Sequence, residues 1–147
     1  MSKLLWVICS NSIQSPTNNP QGGSTNQVAL INPQAILRPE FIPSLFSFAI
    51  SLAIMGVDVT ETHQFDMKIT DPNDQTAIEI LDQQTPTDNG DKFTPLDVSE
   101  QYVIINMMMM NVPLRMNGLF KVTVQIDREE IGHQEILVRA MENPYGK

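Results

Sequence analysis

A chain of 147 residues has the length of one domain. It is long enough to bury a core without disulfides or bound metal, and its 41% hydrophobic content argues against global disorder. A net charge of −8, with nine Lys and Arg scattered along the chain, argues against nucleic acid or an anionic membrane surface as a partner.

The one cysteine, Cys9, permits no intramolecular disulfide, which favours a reducing compartment. The apolar run at residues 4–9 is shorter than the hydrophobic region of a signal peptide, ~7–15 residues, and polar Ser and Asn follow it. The longest apolar-rich stretch, residues 45–57, is interrupted by Ser47, Ser51 and Gly56 and falls short of the ~20 residues that span a bilayer. These features point to a cytoplasmic protein without a membrane segment.

In chain order, residues 4–9 predict a first, fully buried strand. Residues 10–27 are rich in Ser, Asn, Gln, Thr, Pro and Gly and predict a polar, mobile loop. Residues 28–31 predict a short strand, and the prolines at 33, 39 and 43 predict an extended, irregular passage. Residues 45–55 carry the clearest pattern: Phe46, Phe48, Ile50, Leu52 and Ile54 alternate with Ser47, Ala49, Ser51 and Ala53. That period of two predicts a strand with its large face inward, although Leu45, Phe48, Ala49 and Leu52 also fit a helical stripe.

Residues 62–70 alternate again, with Phe65, Met67 and Ile69 inward. Asp71-Pro72-Asn73-Asp74 predicts a turn, and residues 76–81 return as the second arm of a hairpin with Ile78 and Ile80 inward. Residues 82–95 predict a second polar loop. Residues 102–110 are almost continuously apolar, which suits a strand buried on both sides or covered on its outer face, and Pro113 is expected to end it. Residues 118–126 and 131–140 predict a last hairpin with its tip at 127–130, and residues 141–147 a frayed tail. No helix is expected elsewhere. About eight strands, each with one apolar face, require a second sheet to cover the first. The predicted fold is therefore a single all-β domain, an antiparallel sandwich, across residues 1–147.

The segment beginning at Phe65 and ending in the Asp71-Pro72 turn, together with residues 116–127, which read Met-Asn-Gly-Leu-Phe-Lys-Val-Thr-Val-Gln-Ile-Asp, resembles bacterial immunoglobulin-like sandwiches. The likeness runs over roughly residues 45–140 and is greatest to a small bacterial family of unknown function. It implies the fold and transfers no catalytic residue. Asn117-Gly118 stands where that family has Pro or Pro-Gly before the aromatic position.

Residue chemistry offers few candidates. His63, Asp66, His133 and Glu135 are the nearest approach to a metal set, but His63 and Asp66 have opposite strand parity, and zinc needs three or four converging ligands. Asp71, Asn73 and Asp74, and separately Asp88, Asn89 and Asp91, are oxygen-rich, yet neither group has the twelve-residue spacing of a calcium loop. Turn chemistry explains both. Cys9 lies in an apolar run, where desolvation makes a thiol inert. Glu129 and Glu130 fall at a hairpin tip, in water. The sequence contains no phosphate-binding or nucleophile-elbow motif.

These readings predict no catalytic, metal or cofactor site. The unexplained feature is Met107, Met108, Met109 and Met110, four adjacent thioethers suited to an adaptable contact surface. In a strand two of them would face the core and two would face outward. With Ser47, Ala49, Ser51 and Ala53 they form the candidate interface of a non-enzymatic interaction or structural module, its partner another protein or a second copy. Two alternatives stand beside that reading: a small-molecule or metal-binding protein using loop carboxylates and histidines, and an accessory or regulatory protein of a phage or mobile element.

Overall fold

The computed structural model describes residues 2–14, 29–87 and 97–141. Nine strands follow in order: β1 (Lys3–Gln14), β2 (Ala29–Gln34), β3 (Ile36–Leu37), β4 (Ser44–Met55), β5 (Gln64–Thr70), β6 (Thr76–Gln84), β7 (Tyr102–Leu114), β8 (Gly118–Ile126) and β9 (Glu129–Val138). The only helical element among the described residues is a 3-10 turn at Val98–Glu100. The alternation at 45–55 therefore resolves as strand, and the helical stripe there is not used.

The strands form two sheets, ordered β2-β1-β4-β7 and β3-β9-β8-β5-β6. All pairings are antiparallel except β3 with β9, which is parallel and so departs from a purely antiparallel sandwich. With β1, β4 and β7 in one sheet and β9, β8 and β5 adjacent in the other, the connectivity is that of an immunoglobulin-like sandwich, with β6 as an added strand beside β5. The ninth strand, beyond the eight expected, is the two-residue β3.

The two inner faces supply the core. Phe48, Ile50, Leu52 and Ile54 of β4 meet Phe65, Met67 and Ile69 of β5 and Phe120, Val122, Val124 and Ile126 of β8, all buried. Each of these sets has the period of two that the sequence shows. Asp71 shapes the β5–β6 turn, its Oδ1 accepting hydrogen bonds from the Asn73 and Gln75 amides at 2.8 and 2.9 Å. Gly118, at φ +133°, starts β8 against this turn, where a Cβ would lie 2.7 Å from the Pro72 ring.

Three expectations need correction. β1 is neither short nor fully buried: it runs to Gln14, with Leu5 exposed and only alternate residues facing the core. Ser10, Ser12, Ile13 and Gln14, expected in a loop, pair with β2 because a second strand there satisfies their backbone. Likewise β6 continues through Gln84, past the predicted loop boundary at 82. Third, β7 is not buried on both sides. It is an edge strand that runs through Pro113 to Leu114, and an edge tolerates a proline whose missing N–H would face outward. Residues 15–28, 88–96 and 142–147, which contain most of both polar loops and the tail, lie outside the described residues.

The side of the sandwich where β1 faces β9 is laced shut. β2 pairs with β1 only from Cys9 onward, and beyond that point the Gln134 side chain from β9 takes over. Its Oε1 accepts from the Val7 amide at 3.2 Å and its Nε2 donates to the Val7 carbonyl at 3.3 Å. Gln134 thus stands in for a missing strand.

Candidate interaction face

Strand parity turns Ser47, Ala49, Ser51 and Ala53 of β4 away from the core. Register then fixes their neighbours. Trp6, Ile8 and Ser10 of β1 lie beside Ala53, Ser51 and Ala49, and Ile104, Asn106 and Met108 of β7 lie beside the same three on the other flank. Ala49, Ser51 and Ala53 are almost wholly shielded although they face outward, because larger side chains flank them on both sides. The result is a central strip of small residues between two ridges. Within it the Ser51 hydroxyl donates to Asn106 Oδ1, which pairs the buried polar groups of the strip.

The methionine run splits by parity. Met109 is buried and Met107 packs half-buried against the core, whereas Met108 is 46% exposed and Met110 61% exposed. Met108 stands on the ridge with Ile104, which is also exposed. Ser47 is drawn into the backbone, its Oγ accepting from the Asn111 amide at 2.9 Å where β7 bulges. Of the eight candidate residues, Ala49, Ser51, Ala53, Met108 and Met110 face outward on this sheet, Ser47 is engaged by the Asn111 amide, and Met107 and Met109 face the core.

The sequence reasoning missed a plainer signal. The four strands of this sheet contain a single charged residue, Lys3, at the tip of β1. Residues 4–37, 41–57 and 101–114 have no Asp, Glu, Lys or Arg at all, in a chain of net charge −8. The other sheet does carry charge on its outer face, where Asp66, Lys68, Glu79, Lys121 and Glu130, with Thr123, line a shallow depression of about 290 Å³. Acids and bases alternate there, so the depression has no single-sign field to select a ligand.

A polar cluster occupies the rim near the start of β5. His63 Nδ1 lies 2.8 Å from Asp127 Oδ2, and His63 Nε2 lies 3.0 Å from the Asp58 carbonyl oxygen. Burial disfavours the imidazolium, but the Asp127 hydrogen bond, the Asp58 carbonyl and the charges of Asp127 and Glu61 outweigh it and raise the pKa above 6.5. The hydrogen bond from His63, with one from the Gln64 amide, lowers the pKa of Asp127. Hydrogen bonds from the Thr60 hydroxyl and amide hold Asp58 below the usual carboxylate range. Nearby, Asp66 Oδ1 accepts from the Asp82 amide at 2.7 Å, at the bulge in the pairing of β6 with β5. The cluster ties the β8–β9 turn to the start of β5.

The remaining candidates are dispersed. His133 and Glu135 lie exposed on the outer face of the β9-containing sheet, opposite Thr123 and Lys121, away from the His63 rim. Asp71 is engaged in its own turn, and Asp74 adopts φ +63° within it. Asp88, Asn89 and Asp91 lie outside the described residues. Among the described residues, no three His, Cys, Asp or Glu side chains converge on one point. Cys9 is buried, and desolvation pushes its thiol up to about 12, far from a reactive thiolate. Among the described residues no helix is long and apolar enough to cross a membrane.

No family model and no curated protein matches this chain. Two solved structures follow a similar course. The alkylpurine DNA glycosylase AlkC of Pseudomonas fluorescens, bound to DNA containing an abasic site analogue, is 12% identical with a TM-score of 0.45 over 95% of this chain. This chain spans only 30% of that protein's length. An immunoglobulin-like protein from Pseudomonas aeruginosa is 11% identical with a TM-score of 0.42, over 92% of this chain and 98% of that one. Likeness of this order assigns neither an activity nor a partner.

Proposed function

We propose that the chain is a non-enzymatic protein-interaction module whose working surface is the outer face of the β2-β1-β4-β7 sheet. The observation that carries this reading is the segregation of charge. A solvated sheet face normally alternates apolar with charged or polar residues. Here the outer positions are Trp6, Ile8, Ile104 and Met108 around Ala49 and Ala53, the polar members are Ser10 and the mutually bonded Ser51 and Asn106, and charge is absent. Continuous exposed apolar surface on a soluble domain marks a contact site, and thioether side chains adapt to a partner's shape. The loop carboxylates and histidines support a ligand-binding role less well, because Asp71, Asp66 and His63 are engaged in turn and rim hydrogen bonds. The lone, inert Cys9 accords with a reducing compartment.

The test is a comparison of two double variants. Ile104→Lys/Met108→Lys places charge on the proposed face, and Lys68→Glu/Lys121→Glu alters the opposite one. Solution mass and co-purifying protein are measured for each. The expected result is that association is lost with the first pair and kept with the second. A wild-type chain that neither self-associates nor captures protein overturns the reading, as does association indifferent to both pairs.

A further inference from the structure

The two sheets end in four edge strands, and three of the edges are blunted. β3 is two residues long. β2 is six residues long and contains Asn32 at φ +53° followed by Pro33. β6 carries Glu79 and Asp82, the latter at φ +58° in a bulge. These are the devices by which sheet proteins prevent unwanted strand pairing. β7 lacks them over most of its length. It is thirteen residues long, has no charge, and reaches Asn111, at φ +54°, and Pro113 only near its end. Among the described residues it pairs with β4 alone.

We infer that two copies of this chain pair antiparallel along β7, joining their four-stranded sheets into one of eight. This rests on the reading of that sheet as the interaction surface and places a second copy at its β7 edge. Two features favour a second copy over a foreign strand. First, the sequence of β7 is symmetric in character about Asn106. Ile104 and Met108 lie at equal distances on the outward face, and Ile105 and Met107 at equal distances on the inward face. An antiparallel pair centred on Asn106 therefore sets the two Asn106 side chains against each other, Ile104 against Met108 and Ile105 against Met107 of the other copy, as an isologous contact requires. Second, two chains of net charge −8 repel, and this edge is the one from which charge is absent along a whole long strand. Added salt should tighten the dimer by screening that repulsion. A single strand pair makes a small contact beside the ~1,200–2,000 Å² of standard stable interfaces, so a concentration-dependent equilibrium is expected rather than a permanent dimer.

Sedimentation of the full chain across a concentration series should show a monomer–dimer equilibrium. In the dimer, hydrogen exchange should slow at alternate amides between residues 104 and 110, and dilution should release them. Ile104→Lys/Met108→Lys sets lysine against lysine across the axis and should weaken the dimer by about tenfold or more. Ile104→Glu/Met108→Lys sets glutamate against lysine in both halves and should restore it. A monomer at every concentration overturns the inference. So does a dimer in which those amides stay unprotected, or one in which the Glu/Lys pair fares no better than the Lys/Lys pair. If the chain is monomeric but still captures another protein through Ile104 and Met108, this inference falls and the interaction-module reading stands.

Discussion

His63 has an acceptor at each ring nitrogen, the Asp127 carboxylate at 2.8 Å and the Asp58 carbonyl at 3.0 Å. Only the doubly protonated ring donates to both. With the His63 pKa raised above 6.5, the stabilisation is fully present below that value and is lost as pH rises through the folded pKa. Asp127 acts in the opposite sense: its pKa lies below 3.8, so its contribution is present above 3.8 and is lost as pH falls through the folded value. The rim contact is therefore strongest between about pH 4 and 6.5. Asp127 is largely exposed, so the effect should fall within the ~0.2–1 kcal/mol of an open ion pair. Melting temperature against pH should show the wild type losing stability relative to His63→Gln as pH rises above 6.5, where a histidine of raised pKa discharges. Parallel curves would show that the contact contributes nothing. The sequence placed His63 at a strand rim, but its partner, 64 residues away, could not be read from local alternation.

At the level of elements, legibility followed local contrast. Residues 46–54 and 120–126 set large against small, or apolar against polar, so β4 and β8 could be oriented from sequence. Residues 107–110 are one residue type repeated, which erases parity. Whether β7 is central or at an edge depends on partners distant in sequence, and no local pattern encodes that. Ser10 to Gln14 look like loop residues by composition, yet backbone pairing with β2 makes them strand. The candidate face was half legible. The small residues of β4 and the methionines were visible, but not that Trp6 and Ile8 complete the surface. Gln134 is a further contact hidden from sequence, since it bonds to Val7, 127 residues earlier. Gln134→Leu removes both of its bonds to the Val7 backbone and should cost about 1–2 kcal/mol in denaturant unfolding, with an unchanged slope. A cost near zero would mean that water replaces the amide at that edge.

At the scale of the molecule, stability rests on one core shared between two sheets, and four of the seven strand pairings among the described residues, β1–β4, β4–β7, β3–β9 and β5–β8, join strands that are not consecutive in the chain. Such topology folds slowly, on the scale of ~ms to s, and it couples β1 to the whole. Cys9 reports on that coupling. It lies 3% exposed on β1, between β2 and β4, and burial raises its thiol pKa to about 12. A thiol reagent can reach it only when β1 opens. If β1 opens only with the global core, the rate of Cys9 labelling should rise with denaturant with the same dependence as the unfolding equilibrium. The native protection should then equal the global stability, expected within ~5–15 kcal/mol for a domain of this kind. Labelling that proceeds at a rate independent of denaturant would instead show that β1 detaches alone. Gln134 and β2 would then be a weak fastening, and Gln134→Leu should speed the labelling without moving the global midpoint. The two experiments together therefore decide whether the β1 side of the sandwich is fastened by the core or by its edge.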